Sequence, residues 1–187
     1  MTQVKRYDIF DIRLQAKAGK PFDTPLKAHL AAPDGTRITV WGFYDGGDRF
    51  LIRFMPEQEG NYTYETLSPV PAMHGITGSF QCTGVDGHGK VMPDGLYLKH
   101  ADGTRHFSAG TTCYAWIYQP QAVRADTIAE LEKGYFNKLR MCVFPKWYEH
   151  NHRQPELYPF AGNPENGFDY ETPNVCFFQH LENCISA

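Results

Sequence analysis

Phe136-Asn137-Lys138-Leu139-Arg140-Met141-Cys142-Val143-Phe144-Pro145-Lys146-Trp147-Tyr148 is the stretch on which the reading of the fold turns. A helix-like pattern leads into an apolar run, Lys138 to Phe144, that carries one arginine and stops at a proline. The run is too apolar for one-sided cover, as in a parallel strand buried on both faces. A loop rich in rings and polar tips follows. In parallel α/β barrels, such loops at the C-terminal ends of strands are where ligands are met.

Upstream, Ala109 to Trp116 reads as a small-residue strand ending in aromatics. Asp126 is placed to cap a helix running to Phe136, with Ile128, Leu131 and Tyr135 on one stripe. Downstream, Pro145 to Pro173 reads as a long aromatic loop. Asn174 is placed to cap a last helix carrying Val175, Phe178, Leu181 and Ile185. Leu96–His100 and Arg105–Ser108 flank Asp102-Gly103, a hairpin signal. Strands alternating with helices imply βαβ units and a parallel sheet.

The first half is patterned differently. Leu26, Ala28 and Leu30 alternate with polar neighbours, as do Ile12 and Leu14. Phe50, Ile52 and Phe54 share one face of a strand that follows the turn Tyr44-Asp45-Gly46-Gly47. Period-two patterning between dense Gly, Pro and Asp turns predicts an antiparallel, immunoglobulin-like β-sandwich. Tyr62, entering a strand just after Gly60, is the expected tyrosine corner, its hydroxyl bonded to nearby backbone. Gly78–Cys82 reads as the last strand of the sandwich, and His74 and His88 lie in Gly- and Pro-rich loops. The expected division is a sandwich over residues 1–94 and an α/β segment over 95–187, with the boundary near Pro93-Asp94-Gly95.

Bulk properties narrow the function classes. In 187 residues, 42% hydrophobic content and 14% aromatic content are enough for packed cores. A net charge of −3 supplies no basic footprint for nucleic acid. No apolar run is long enough to span a bilayer, so no membrane partner is expected. Residues 1–8 lack the apolar centre of a signal peptide, and cytoplasmic localisation is the expectation. Five widely spaced cysteines without a CxxC read as reduced thiols. No GxGxxG or GxxxxGK[ST] follows a strand, which disfavours nucleotide binding.

Thr112, Tyr114 and Trp116 stand at the end of the first α/β strand; Lys146, Tyr148, His150 and Asn151 follow the second. These are the candidate substrate-binding residues. Packing under a neighbouring loop is the alternative for Trp116. A lone His150-x-His152 without a placed third ligand predicts no metal. Glu149, Glu156, Glu165, Asp169 and Glu171 read as solvated loop charges. Trp41, Phe43 and Tyr44 could stack on sugars, but Trp41 and Phe43 at strand spacing are expected in the core.

Three segments carry a family resemblance: Gly110-Thr111-Thr112-Cys113-Tyr114-Ala115-Trp116, Phe136 to Lys146, and Phe178-Gln179-His180-Leu181. They resemble the first two βα units of glycoside hydrolases with an apiosidase-like or cellulase-like (β/α)8 barrel. Residues 1–94, with Gly42-Phe43-Tyr44-Asp45-Gly46 and Arg53 to Gly60, are similar to the sandwich domain of unknown function that precedes such barrels. The resemblance covers nearly the whole chain.

The resemblance implies two catalytic carboxylates roughly 5 Å apart, contributed by the fourth and seventh barrel strands. Only two strands are matched here, and neither catalytic position is. Arg140 matches an arginine that orients the nucleophile in such relatives, a supporting catalytic role. The alternative is a structural ion pair; either reading calls for a carboxylate partner.

A complete barrel needs roughly 250 residues, far more than follow Gly95. The expectation is therefore an incomplete TIM-barrel-like segment with exposed apolar edges and possible self-association. The expected function is the N-terminal part of a hydrolase of O-glycosidic bonds. It would take oligosaccharide or glycoside substrates, need no cofactor, and be inactive alone for want of both carboxylates. The alternative is a non-catalytic β-sandwich module that binds carbohydrate or protein.

Overall fold

The computed structural model describes residues 2–145, 149 and 152–187. It divides into two compact units, Met1–His106 and Phe107–Ala187. Among the described residues no helix is long and apolar enough to cross a membrane.

The first unit is built on seven strands: β1 (Thr2–Arg6), β2 (Phe10–Gln15), β3 (Lys27–Ala31), β4 (Arg37–Tyr44), β5 (Arg49–Phe54), β6 (Gly60–Leu67) and β7 (Thr77–Val85). They form one sheet in the order β1-β7-β6-β3-β4-β5-β2. The pairings are antiparallel except β1 with β7, which is parallel, so the sheet is mixed where a purely antiparallel one was expected. β4 changes partner along its length: Arg37–Trp41 pair with β3 and Gly42–Tyr44 with β5. That switch curls the sheet almost closed. Phe10 on terminal strand β2 stacks on Phe80 of β7, with ring centroids 4.0 Å apart.

Alternation predicts the core of this unit well. Leu26, Ala28, Leu30, Phe50 and Ile52 are all buried. Tyr62 is buried, lies parallel to Phe80 with centroids 5.0 Å apart, and its hydroxyl accepts the Gln58 N–H at 3.2 Å. That is the corner expected of it. A small antiparallel sheet, β8 (Val91–Asp94), β9 (Tyr97–His100) and β10 (Arg105–His106), completes the unit. Asp94 and Gly95, the expected boundary, fall at the β8–β9 turn.

The second unit departs from the expected (β/α)8 fragment. It has a parallel pair, β11 (Gly110–Thr112) and β12 (Lys138–Arg140), of three residues each. It adds helix α1 (Gln121–Leu131), an antiparallel hairpin β13 (Phe160–Asn163) and β14 (Gly167–Pro173), and helix α2 (Val175–Ile185). The described chain is 41% strand and 17% helix. That balance, with two α-helices and no clear barrel-type βα unit, overturns the expected TIM-barrel-like architecture.

The cause is local. β12 is one-sided: Lys138 and Arg140 are exposed and Leu139 turns inward. The run Met141–Phe144 leaves the ladder, with the Cys142 N–H bonded to the Tyr114 carbonyl. Pro145 has no N–H with which to resume it. α1 starts before Asp126 because Pro120, at φ −52°, is already set for a helix entry. α2 begins after Asn174 as expected, but it buries Phe177 and Cys184 and leaves Ile185 exposed. The core here is Trp116, Ile117, Phe177 and Cys184, with Ile128, Leu139, Met141 and Leu157 packed around it.

Candidate functional site

Thr112 and Arg140 end β11 and β12 in register. Beyond them the Cys113 N–H bonds to the Arg140 carbonyl at 2.9 Å. The Arg140 guanidinium carbon lies 5.4 Å from the centroid of the Tyr114 ring, a cation–π distance. Thr112, Tyr114 and Arg140 are thus brought together at one strand end. Arg140 is solvent-exposed, so it is not the buried cation the apolar run implied. Its neighbour among the described residues is a ring, not a carboxylate.

Trp116 is placed elsewhere. It is 5% exposed within the core, and its indole N–H donates to the Arg124 carbonyl at 3.3 Å. Lys146, Tyr148, His150 and Asn151 lie outside the described residues. Among the described residues no cluster of His, Cys, Asp and Glu is suited to a metal ion.

Glu149, Glu156, Glu165, Asp169 and Glu171 are all exposed. Asp169 is held below its ordinary carboxyl pKa, first by the Thr172 hydroxyl and then by the Glu171 N–H. A glycosidase acid needs the opposite displacement.

The β13–β14 hairpin builds an aromatic cleft that the sequence reading missed. It encloses about 450 Å³ between Phe144, Tyr158, Phe160, Phe168 and Tyr170, with Pro145 and Pro159. Phe144 and Phe160 lie parallel within 2°, 6.2 Å apart, and Tyr170 meets Phe160 edge-on at 5.3 Å. Tyr158 and Phe168 are 5.0 Å apart. Tyr170 is 71% exposed and Phe144 55%, so both residues are open to solvent. The missed signal is Asn166-Gly167 before the alternating Phe168 and Tyr170, a hairpin pattern. Asn163 Oδ1 accepts the N–H groups of Glu165 and Asn166, and Gly167 takes φ +85°.

A second aromatic surface lies on β4. Trp41 is 66% exposed and Phe43 39%, against the expectation that both fill the core. Lys27 Nζ sits 5.7 Å from the Trp41 ring, and the Arg53 guanidinium carbon 5.6 Å from the Phe43 ring. Tyr44 instead packs inward, against Phe22 and Phe50.

The family described as a domain of unknown function (DUF5060) matches residues 3–69, most of the seven-stranded sheet. A crystal structure described as that of a putative glycoside hydrolase from Bacteroides vulgatus ATCC 8482 is similar over this entire chain. The TM-score is 0.92 and the identity 37%, over 100% of this chain and 39% of that one. The chain therefore spans 39% of the length of that protein. The Lin-41 filamin domain matches at 17% identity and a TM-score of 0.36, over 44% of this chain and 83% of that one, too loosely to place a fold. None of the curated proteins matches this sequence. The likeness to a glycoside hydrolase-type protein therefore stands; a barrel or an apiosidase-like assignment receives no support from these matches.

Proposed function

We propose that this chain is a carbohydrate-contacting portion of a glycoside hydrolase-type protein. It holds oligosaccharide through the aromatic cleft of the second unit and does not itself cleave glycosidic bonds. The whole-length likeness at 37% identity carries this reading. Flat, exposed rings around a cleft suit the apolar faces of sugar rings, and concave, mostly apolar sites are the usual form of a ligand site. The non-catalytic clause is supported by the loop carboxylates Glu149, Glu156, Glu165, Asp169 and Glu171, all of which are solvent-exposed.

Titration with neutral oligosaccharides, followed by calorimetry or amide chemical shifts, tests the binding site. Tyr170→Ala and Phe144→Ala remove exposed rings and should abolish binding while the fold persists. Binding unchanged in the double variant would sink the cleft. Turnover of aryl glycosides by the purified chain would sink the non-catalytic clause.

The exposure of Trp41 favours a second reading, in which the β4 face of the first unit acts as a non-catalytic carbohydrate-binding module. In that case Trp41→Ala, and not Tyr170→Ala, removes binding.

A further inference from the structure

A second cavity in the Phe107–Ala187 unit differs from the aromatic cleft in chemistry. It encloses about 270 Å³, and its polar wall includes Arg124, Arg153, His180, Gln121, Gln154 and Glu156. We propose that this cavity binds the carboxylate of an acidic sugar, a uronate unit of the oligosaccharide. The proposal rests on the glycan reading above and names the substrate class.

The wall is organised by bonds to backbone. Arg124 Nη1 donates to the Gln119 carbonyl at 2.6 Å, while the Arg124 carbonyl accepts the Trp116 indole N–H. The guanidinium is thus tied at one nitrogen, and four of its five N–H groups are not used in that bond. His180 Nε2 donates to the Ile117 carbonyl at 2.8 Å, which anchors α2 to this wall. Gln154 Oε1 accepts the Tyr158 hydroxyl at 2.9 Å, so the Gln154 amide has its N–H groups to offer. Tyr158 also lines the aromatic cleft, so Gln154 and Tyr158 link the two cavities.

Charge then selects the ligand. Two arginines, charged at any working pH, line the cavity together with one carboxylate, Glu156. An anionic group offsets that imbalance, and the planar arginine fork matches a carboxylate in two parallel bonds. The volume falls below the roughly 300–1,000 Å³ of pockets for drug-sized ligands. It suits a single sugar ring or its acidic substituent rather than a chain.

Calorimetric titration of the 187-residue chain with oligogalacturonate, a neutral oligosaccharide of equal length and inorganic phosphate tests the proposal. Oligogalacturonate is expected to bind about tenfold or more tighter than the neutral sugar, the scale of one charge-assisted bond pair. The preference should shrink with added salt and vanish in Arg153→Gln, an exposed position where folding is undisturbed. Arg153→Lys should restore part of it. Tyr170→Ala should weaken acidic and neutral sugars alike. Equal affinity for both sugars, a preference unchanged in Arg153→Gln, or phosphate binding as tightly as oligogalacturonate would each overturn the uronate site while leaving the aromatic cleft standing. Failure of both sugars to bind would remove the glycan reading, and this inference with it.

Discussion

His106 Nδ1 lies 3.1 Å from His100 Nε2, and the two rings meet nearly edge-on at 81°. His100 Nδ1 is 3.2 Å from the Gly89 carbonyl, which only accepts, so that nitrogen carries a proton. The 3.1 Å contact needs one donor and one acceptor, so the two imidazoles cannot both be fully protonated while it lasts. We predict that His106→Ala, which removes one partner of that contact, loosens β9 and β10, read as lost amide protection there. His106→Gln, which keeps a side-chain hydrogen-bonding group at this position, should retain more of that protection than His106→Ala. Protection of β9 and β10 that is unchanged in His106→Ala would refute the prediction.

His88 Nδ1 bonds Asp102 Oδ2 at 2.7 Å in the turn of the same sheet. The His88 bond, followed by the Thr104 N–H, lowers the Asp102 carboxyl from 3.8 to about 2. A depressed folded value means that the stabilisation is complete above the ordinary pKa and is lost as pH falls through about 2. Carboxyl NMR titration should find the Asp102 midpoint near that value, and His88→Ala should raise it. A midpoint that does not move in His88→Ala would remove the assigned cause.

Asp11 on β2 accepts two bonds from Arg53 on β5, at 2.8 and 3.1 Å. Both side chains are mostly shielded, so the pair is screened less than a surface pair. Asp11→Ala should cost about 2 kcal/mol in urea unfolding and remove two bonds from Arg53, whose cation lies over Phe43. A loss under about 0.5 kcal/mol, the ordinary surface range, would count against the shielding.

Gly42 sits where β4 exchanges β3 for β5. A Cβ there would lie 2.6 Å from Leu26 Cδ2 and 2.8 Å from the Leu51 carbonyl oxygen. The carbonyl belongs to a paired strand and yields little. Gly42→Ala should therefore destabilise by about 1–3 kcal/mol, whereas alanine at an open glycine with ordinary φ, such as Gly84, should not. Equal stability of the two variants would contradict this.

Thr66 is fully buried, and its hydroxyl donates to the Met73 carbonyl at 2.7 Å while accepting the Ile76 N–H at 3.0 Å. Valine keeps the shape and leaves both backbone groups short of that partner. Thr66→Val should cost about 1–3 kcal/mol, and Thr66→Ser should recover most of it. If serine is no better than valine, the hydroxyl is not the cause.

Much of the first unit was legible because its signals are local. Asp45-Gly46-Gly47 makes a turn whatever surrounds it, and Tyr62 needs only backbone a few residues upstream. The face of β4 was not legible. Alternation separates Ile38, Val40 and Tyr44 from Thr39, Trp41 and Phe43 but does not say which set is inside, and ring size points the wrong way. Leu26 decides it by packing against Gly42, and Lys27 and Arg53 cover the rings left outside. In the second unit the run Lys138–Phe144 is apolar enough for a two-sided strand, yet pairing holds for three residues. Composition cannot show where a ladder lacks further rungs. At the candidate sites, Tyr114 was legible as a strand-end residue, whereas Arg140 was expected inside a longer strand and the aromatic cleft depends on a hairpin hidden in a loop assignment.

The parallel pairing of β1 with β7 places Thr2 opposite Phe80. During synthesis at about 5–20 residues per second, the first strand is therefore made roughly 4–16 s before its partner. Until then an unpaired strand edge is open to other chains. The alternation of Gln3 and Lys5 with Val4 keeps that waiting segment polar on one side. Residues 2–6 must thus wait for β7 before they can join the sheet.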